Sequence, residues 1–269
     1  MLQKMKGMFE INNLREKLEG GNFILGTHSF LGSEHTIEIL SRLSFDFIFI
    51  CSEHTPYGVE KLYSLTKACQ SGGTPALVRV PQNDLTATKK ILDMGPEGII
   101  FPMVRNAEEV NALISMTLYP PRGTRGFGPM RAIGYGDTDA KAYTDEGHLD
   151  LCRFIQIEHI DCIHALPEIV KNPYIDGYIF GPNDLSGSLG CMGEPFADAV
   201  TDAMKEAIAI LRANGKYIGL AVGHSAESLA HWSQFDVDMI TAGADWNFLY
   251  ELGKKNLANL RAFHEGERK

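Results

Sequence analysis

Polar and ionisable residues stand at the ends of several short apolar runs in this sequence, and their types point to one kind of chemistry. Cys51-Ser52-Glu53-His54 follows FDFIFI, Arg79 lies in ALVRV, Gln156 and Glu158 close RFIQIE, and Gly181-Pro182-Asn183-Asp184 follows GYIF. Glu158 and Asp184 are the leading pair: carboxylates with open positions for water suit Mg2+ or Mn2+, which prefer hard oxygen ligands. Either carboxylate alone reads more readily as a helix cap or a surface ion pair, and it is their shared location that favours a joint role. Arg79 carries a permanent cation suited to a carboxylate or to a developing enolate oxygen. His54 carries an imidazole, the usual general base; a loop histidine bonded to backbone is the plainer alternative. A second SEHT at Ser33–Thr36 lies in a helical pattern, so position and not the tetrapeptide singles out His54. Gly181 to Asp184 could turn the backbone N–H groups of Asn183 and Asp184 toward an anion, or could be a simple turn before a helix.

These groups converge only if the apolar runs are strands of one parallel barrel, whose carboxyl ends form the site. The runs are Phe23–Gly26, Phe45–Ile50, Ala76–Val80, Gly98–Phe101, Arg153–Ile157, Gly177–Phe180, Tyr217–Val222 and Val237–Thr241. They are short and almost continuously apolar, as strands covered on both faces should be. Gln156 and Glu158 are two apart on one of them and therefore share its inward face. Amphipathic helices are expected over Glu34–Leu43, Thr86–Met94, Asn106–Thr117 and Phe196–Ala213, the last stopped by Asn214-Gly215. Strands and helices alternating in this way predict a (β/α)8 TIM barrel. A doubly wound open sheet should carry G-x-G-x-x-G in its first turn, and this chain does not. Arg122–Asp150 and Leu185–Pro195 read as connections too long for simple turns, hence functional or interfacial. Trp246–His264 reads as a strong helix whose apolar face must bury on its own barrel or on a neighbour.

Composition agrees with one globular unit. The 269 residues are 44% hydrophobic and 22% charged, and read as a single domain over 1–269 with its core at 23–250. A net charge of −9, from 34 acids against 25 bases, would repel a phosphate backbone and disfavours nucleic acid as a partner. No apolar run reaches the roughly 18 residues of a membrane span, and Met1–Glu10 lacks the apolar core of a secretory signal. The five cysteines (51, 69, 152, 162 and 191) never form C-x-x-C and read as reduced cytoplasmic thiols filling space.

The segments FDFIFICSEHTPYG, LVRVPQND, FPMVRNAEE, YPPRGTRGFG, FIQIE and IFGPNDLSG, in this order, resemble the HpcH/HpaI family of metal-dependent (class II) pyruvate aldolases over roughly residues 23 to 250. The resemblance implies a (β/α)8 barrel that cleaves a 4-hydroxy-2-oxo acid into pyruvate and an aldehyde, with Mg2+, Mn2+ or Co2+ as cofactor. It implies Glu158 and Asp184 as metal ligands, Arg79 beside the pyruvyl oxygen, and His54 handling the proton. It also implies Gln156 as a polar neighbour of the metal site, and Gly181, Pro182, Asn183 and Asp184 as the stretch that holds the pyruvate carboxylate. It further implies a homo-oligomer, trimer or hexamer, that exchanges C-terminal helices, with Phe127 and Gly128 reaching a neighbouring subunit's site. Related chemistries for the same core are oxaloacetate decarboxylation and acyl-CoA carbon–carbon cleavage; a non-catalytic barrel that binds a 2-oxo acid is a third reading. The chain departs from the family where an acid commonly stands, at Cys51, and where an aromatic often follows the first-strand glycine, at His28. With small residues at Ala221 and Gly223, this leaves the pyruvate half of the site intact and the aldehyde half altered.

Overall fold

Eight parallel strands close into a barrel in simple sequence order in the computed structural model, which describes residues 14–266. The opening segment Met1–Glu10 lies outside the described residues. The strands are β1 (Ile24–Ser29), β2 (Phe47–Cys51), β3 (Ala76–Arg79), β4 (Gly98–Phe101), β5 (Cys152–Ile157), β6 (Gly177–Phe180), β7 (Tyr217–Val222) and β8 (Met239–Ala244). The helices are α1 (Leu14–Glu19), α2 (Glu34–Ser41), α3 (Val59–Ser71), α4 (Leu85–Asp93), α5 (Ala107–Ser115), α6 (Ala140–Asp145), α7 (Ile160–Ile169), α8 (Pro182–Ser188), α9 (Asp198–Ala213), α10 (Ala226–Trp232) and α11 (Asp245–Gly266). Every apolar run expected to be a strand is one, and the TIM-barrel expectation holds. Among the described residues no helix is long and apolar enough to cross a membrane.

Alternation along each strand divides the core in two. Outward residues pack under the helices, while Ile24, Phe47, Phe49, Leu77, Ile100, Phe154, Ile179 and Met239 fill the barrel interior. Volume is balanced across neighbouring strands: a Cβ built on Gly26 would lie 2.2 Å from the Phe47 ring, and one on Gly177 would lie 2.7 Å from Phe154. Leu14 and Leu18 of α1 close the amino-terminal end of this interior. Arg15 holds α1 there by donating from Nη1 and Nη2 to Asp176 at 2.9 and 3.0 Å.

Three expectations are refined. β1 and β8 run further toward their carboxyl ends than their apolar runs, taking in Thr27, His28 and Ser29 and reaching Ala244. The stretch Arg122–Asp150 contains α6 and two short 3-10 turns, Gly134–Gly136 and Gly147–Asp150. Leu185–Ser188, expected in a loop, is the second half of α8.

The last helix does not cover its own barrel. α11 starts directly at the end of β8, where the Asp245 carboxylate accepts from Ser29 Oγ, from the N–H groups of Phe30 and Leu31, and from that of Trp246. Beyond this anchor Leu249, Tyr250, Leu252, Leu260 and Phe263 are 57–69% exposed, and Leu25 on the outer face of β1 is 51% exposed. An apolar helix face and a bare strand face thus coexist in one chain.

Candidate active site

The polar layer at the carboxyl ends of β2, β3, β5 and β6 is built around Arg79. In the β2–β3 register Arg79 stands opposite Cys51, and both side chains turn into the barrel. Arg79 is 5% exposed. Its Nη2 donates to Cys51 Sγ at 2.8 Å, and its Nη1 donates to Gln156 Oε1 at 3.3 Å. Nη1 also lies 3.2 Å from Glu53 Oε2, and the guanidinium carbon sits 5.3 Å from the centre of the Phe49 ring. Cys51 Sγ also accepts from the His54 N–H at 3.4 Å, while the Cys51 carbonyl accepts from Thr55 Oγ1 and Tyr57 Oη at 2.9 and 2.6 Å. The turn after β2 is thereby tied to the strand end.

Gln156 and Glu158 share the inward face of β5 and its continuation. Gln156 Nε2 donates to Glu158 Oε2 at 2.6 Å, so the amide links the arginine to the carboxylate. Glu158 Oε1 accepts from the Met103 N–H at 2.5 Å. Met103, just past β4, has φ of 54°, a left-handed conformation that is unusual for a residue with a side chain and is typical of functional sites. Burial pushes the Glu158 carboxyl up to about 7; the Met103 N–H and Arg79 oppose the rise, while Glu53 and Asp184 reinforce it.

Gly181 is required where it stands. A Cβ there would lie 2.9 Å from Gln156 Nε2 and 3.0 Å from Glu158 Oε2. Pro182 opens α8, where its missing N–H costs nothing, and Asn183 and Asp184 form the exposed first turn. Asp184, exposed in that first turn, is near enough to Glu158 to help raise its carboxyl. Among the described residues no group of three or more His, Cys, Asp or Glu side chains forms a ready-made metal cage.

His54 takes a rim position. Its side chain is 56% exposed, and Nε2 lies 3.9 Å from Glu53 Oε2. Glu53 was not singled out from the sequence, yet it bridges the space between His54 and Arg79, with Oε2 buried and without a hydrogen-bond partner. The signal available was its place in the Cys51-Ser52-Glu53-His54 string that follows β2. Of the two small residues expected in the β7 wall, Ala221 packs on the interior cluster. Gly223 instead faces Ser228 of α10, outside the barrel. Phe127 is 67% exposed, in the excursion between β4 and β5.

Comparisons with known proteins agree with this architecture. Residues 26–245 match the family described as HpcH/HpaI aldolase/citrate lyase. A 4-hydroxy-2-oxo-heptane-1,7-dioate aldolase of Shigella sonnei (strain Ss046) is 30% identical over 239 residues, covering 88% of this chain and 90% of that protein. A hydroxypyruvate/pyruvate aldolase of Roseovarius nubinhibens is 26% identical over 250 residues, covering 93% and 97%. The crystal structure of an HpcH/HpaI aldolase from Desulfitobacterium hafniense DCB-2 superposes with a TM-score of 0.85 at 25% identity, covering 95% of this chain and 97% of that one. The fold is thus shared with the Desulfitobacterium hafniense aldolase, and the chain belongs to the HpcH/HpaI aldolase/citrate lyase family.

Proposed function

We propose that the protein is a divalent-metal-dependent carbon–carbon lyase that cleaves a 4-hydroxy-2-oxo acid into pyruvate and an aldehyde. The observation that carries this reading is the chain Arg79–Gln156–Glu158 at the barrel mouth, beside a glycine that leaves space against Glu158 Oε2. A divalent ion fits there. The donors are hard oxygens, and the buried Glu158 carboxyl stays raised to about 7 in spite of Arg79, so that a further cation would favour its ionised form. Glu158 and Asp184 would hold the ion, with Mg2+, Mn2+ or Co2+ suited to them. When bound, such an ion supplies Lewis-acid polarisation of the 2-oxo group.

The remaining work falls to the chain. The first turn of α8 presents the backbone N–H groups of Asn183 and Asp184 to the substrate carboxylate. As the bond between C3 and C4 breaks, its electron pair flows toward the 2-oxo oxygen, where the Arg79 guanidinium meets the growing charge. His54 takes the proton of the C4 hydroxyl, the carbonyl of the aldehyde forms, and a proton returned to C3 completes pyruvate. Gln156 holds Glu158 and Arg79 in register. Release of pyruvate from a 4-hydroxy-2-oxo acid, followed by a coupled lactate dehydrogenase assay with and without chelator, tests the reading. Metal-dependent release supports it, and its absence with Mg2+, Mn2+ and Co2+ contradicts it.

The same reading includes a homo-oligomer, trimer or hexamer. The exposed apolar face of α11 and the bare Leu25 face of β1 are complementary requirements that helix exchange between subunits satisfies. Phe127 and Gly128 would then reach a neighbour's site. Free thiols at all five cysteines suit a reducing, cytoplasmic compartment.

A further inference from the structure

His28 is an ionisable side chain on the β8–β1 side of the mouth whose setting is built by the backbone. β8 carries an extra residue opposite β1: Gly26 pairs with Thr241 but His28 pairs with Ala244. Bulges of this kind re-aim side chains next to active sites. Gly243, within the bulge, has φ of +71°, and a Cβ there would strike the Phe248 ring at 2.8 Å. This left-handed turn presents the Gly243 carbonyl to β1, where it accepts from Thr27 Oγ1 at 3.3 Å and lies 3.1 Å from His28 Nδ1. A carbonyl only accepts, so Nδ1 carries the ring proton and Nε2 is left as a bare acceptor. Thr241 Oγ1, 3.4 Å from Nδ1, lies on the same side of the ring.

The ring is held within the site. Its centroid lies 4.8 Å from that of Phe49, the same ring that carries the Arg79 guanidinium, and 5.7 Å from that of Phe30. Burial, reinforced by Arg79, lowers the imidazole to about 4, so it is uncharged at neutral pH. The side chain is half-buried, and Nε2 lies on the ring edge away from Gly243. With the 2-oxo acid half of the site on β3, β5 and β6, the fragment beyond the broken bond faces the opposite wall. There Ala221 leaves room and His28 offers the polar contact.

We propose that His28 is a specificity-determining residue whose Nε2 accepts a hydrogen bond from a hydroxyl on the aldehyde fragment, which makes short hydroxylated aldehydes the preferred substrate class. The inference rests on the lyase reading above. Glycolaldehyde and propanal differ only by a hydroxyl in place of a methyl group, and so isolate this contact.

The test runs the metal-loaded enzyme in the synthetic direction with pyruvate and each aldehyde. The His28→Phe variant keeps an aromatic ring between Phe30 and Phe49, and the wild-type ratio of kcat/KM for glycolaldehyde over propanal should fall about tenfold in it, through the glycolaldehyde value. His28→Gln can donate its amide N–H to Gly243 and keep an oxygen facing the mouth, and should retain most of the preference. A ratio unchanged in His28→Phe, or lost equally in both variants, overturns the assignment. Deuterium exchange at the pyruvate methyl group, measured on the wild-type enzyme without aldehyde, separates the two levels. Exchange with an unaltered ratio sinks the role of His28 alone, whereas no exchange sinks the lyase reading and this inference with it.

Discussion

The guanidinium Nη2 of Arg79 donates to the sulfur of Cys51 at 2.8 Å, so the buried cation at the barrel mouth is steered by a thiol as well as by carboxylate and amide. Hydrogen bonds to a charged donor contribute more than neutral ones, roughly 1.5–3 kcal/mol. Removing the sulfur leaves Arg79 with Gln156 and Glu53 but without its anchor on β2. We predict that Cys51→Ala lowers kcat/KM for cleavage about tenfold, and that Cys51→Ser, which keeps an acceptor, loses less. Steady-state kinetics on both variants check this; equal values for Cys51→Ala and wild type would free Arg79 from this dependence.

Gly181→Ala should damage the site more than the fold. The added methyl group would come within 3.0 Å of both Gln156 Nε2 and Glu158 Oε2 and force the carboxylate to move. If Glu158 holds the ion as proposed, disturbing its support should cost about 10–100-fold in metal affinity or activity. Metal titration by calorimetry should show that loss, with a melting temperature within a few degrees of wild type.

How far the sequence reveals the molecule depends on the kind of signal each part leaves. The strands are legible because residues covered on both faces must be apolar without interruption, as in FIFIC of β2, where all five residues are buried. β1 is under-read because Thr27, His28 and Ser29 are polar yet paired to β8 and β2, a tertiary arrangement without a local mark. α1 escapes because six residues are too few for a helical period. Within the site, alternation along β5 correctly groups Gln156 with Glu158. Past the end of β2 the chain bends and alternation no longer applies, so Glu53 reaches Arg79 without a local mark, whereas His54, chosen for its imidazole, stands at the rim. The bulge at Gly243 that fixes the His28 tautomer has no sequence signature beyond a glycine.

A buried carboxyl far from the site sets part of the pH dependence of stability. Burial raises Glu97 to about 7 from 4.5, although its oxygens accept from Gln70 Nε2 at 2.7 Å and from the Ala76 N–H at 2.8 Å. A carboxyl raised in the folded state contributes stability that is fully present below about 4.5 and is lost as pH rises through 7. His28 and His148, both lowered to about 4, act oppositely between 4 and their ordinary 6.5. Only the difference from a variant therefore isolates Glu97. Chemical denaturation of wild type and Glu97→Gln should show the wild type losing roughly 2 kcal/mol relative to the variant between pH 4.5 and 7.5. A constant difference across that range would contradict the raised carboxyl.

Truncation after Asp245 removes the exposed helix while leaving the carboxylate that caps the β1 end. If exchanged helices hold the subunits together, the truncated protein runs as a smaller species in size-exclusion chromatography with light scattering. An unchanged hexamer or trimer would place the interface elsewhere.

The measurement closest to the central claim is deuterium incorporation into the methyl group of pyruvate, followed by mass spectrometry in D2O with Mg2+, for wild type and Glu158→Gln. It reads proton transfer at the carbon that forms the cleaved bond, independently of which aldehyde the enzyme uses. Exchange is expected in the wild type and should vanish on chelation, and it should be at least about a hundredfold slower in Glu158→Gln. Exchange that survives either chelation or the loss of the Glu158 carboxylate would contradict it.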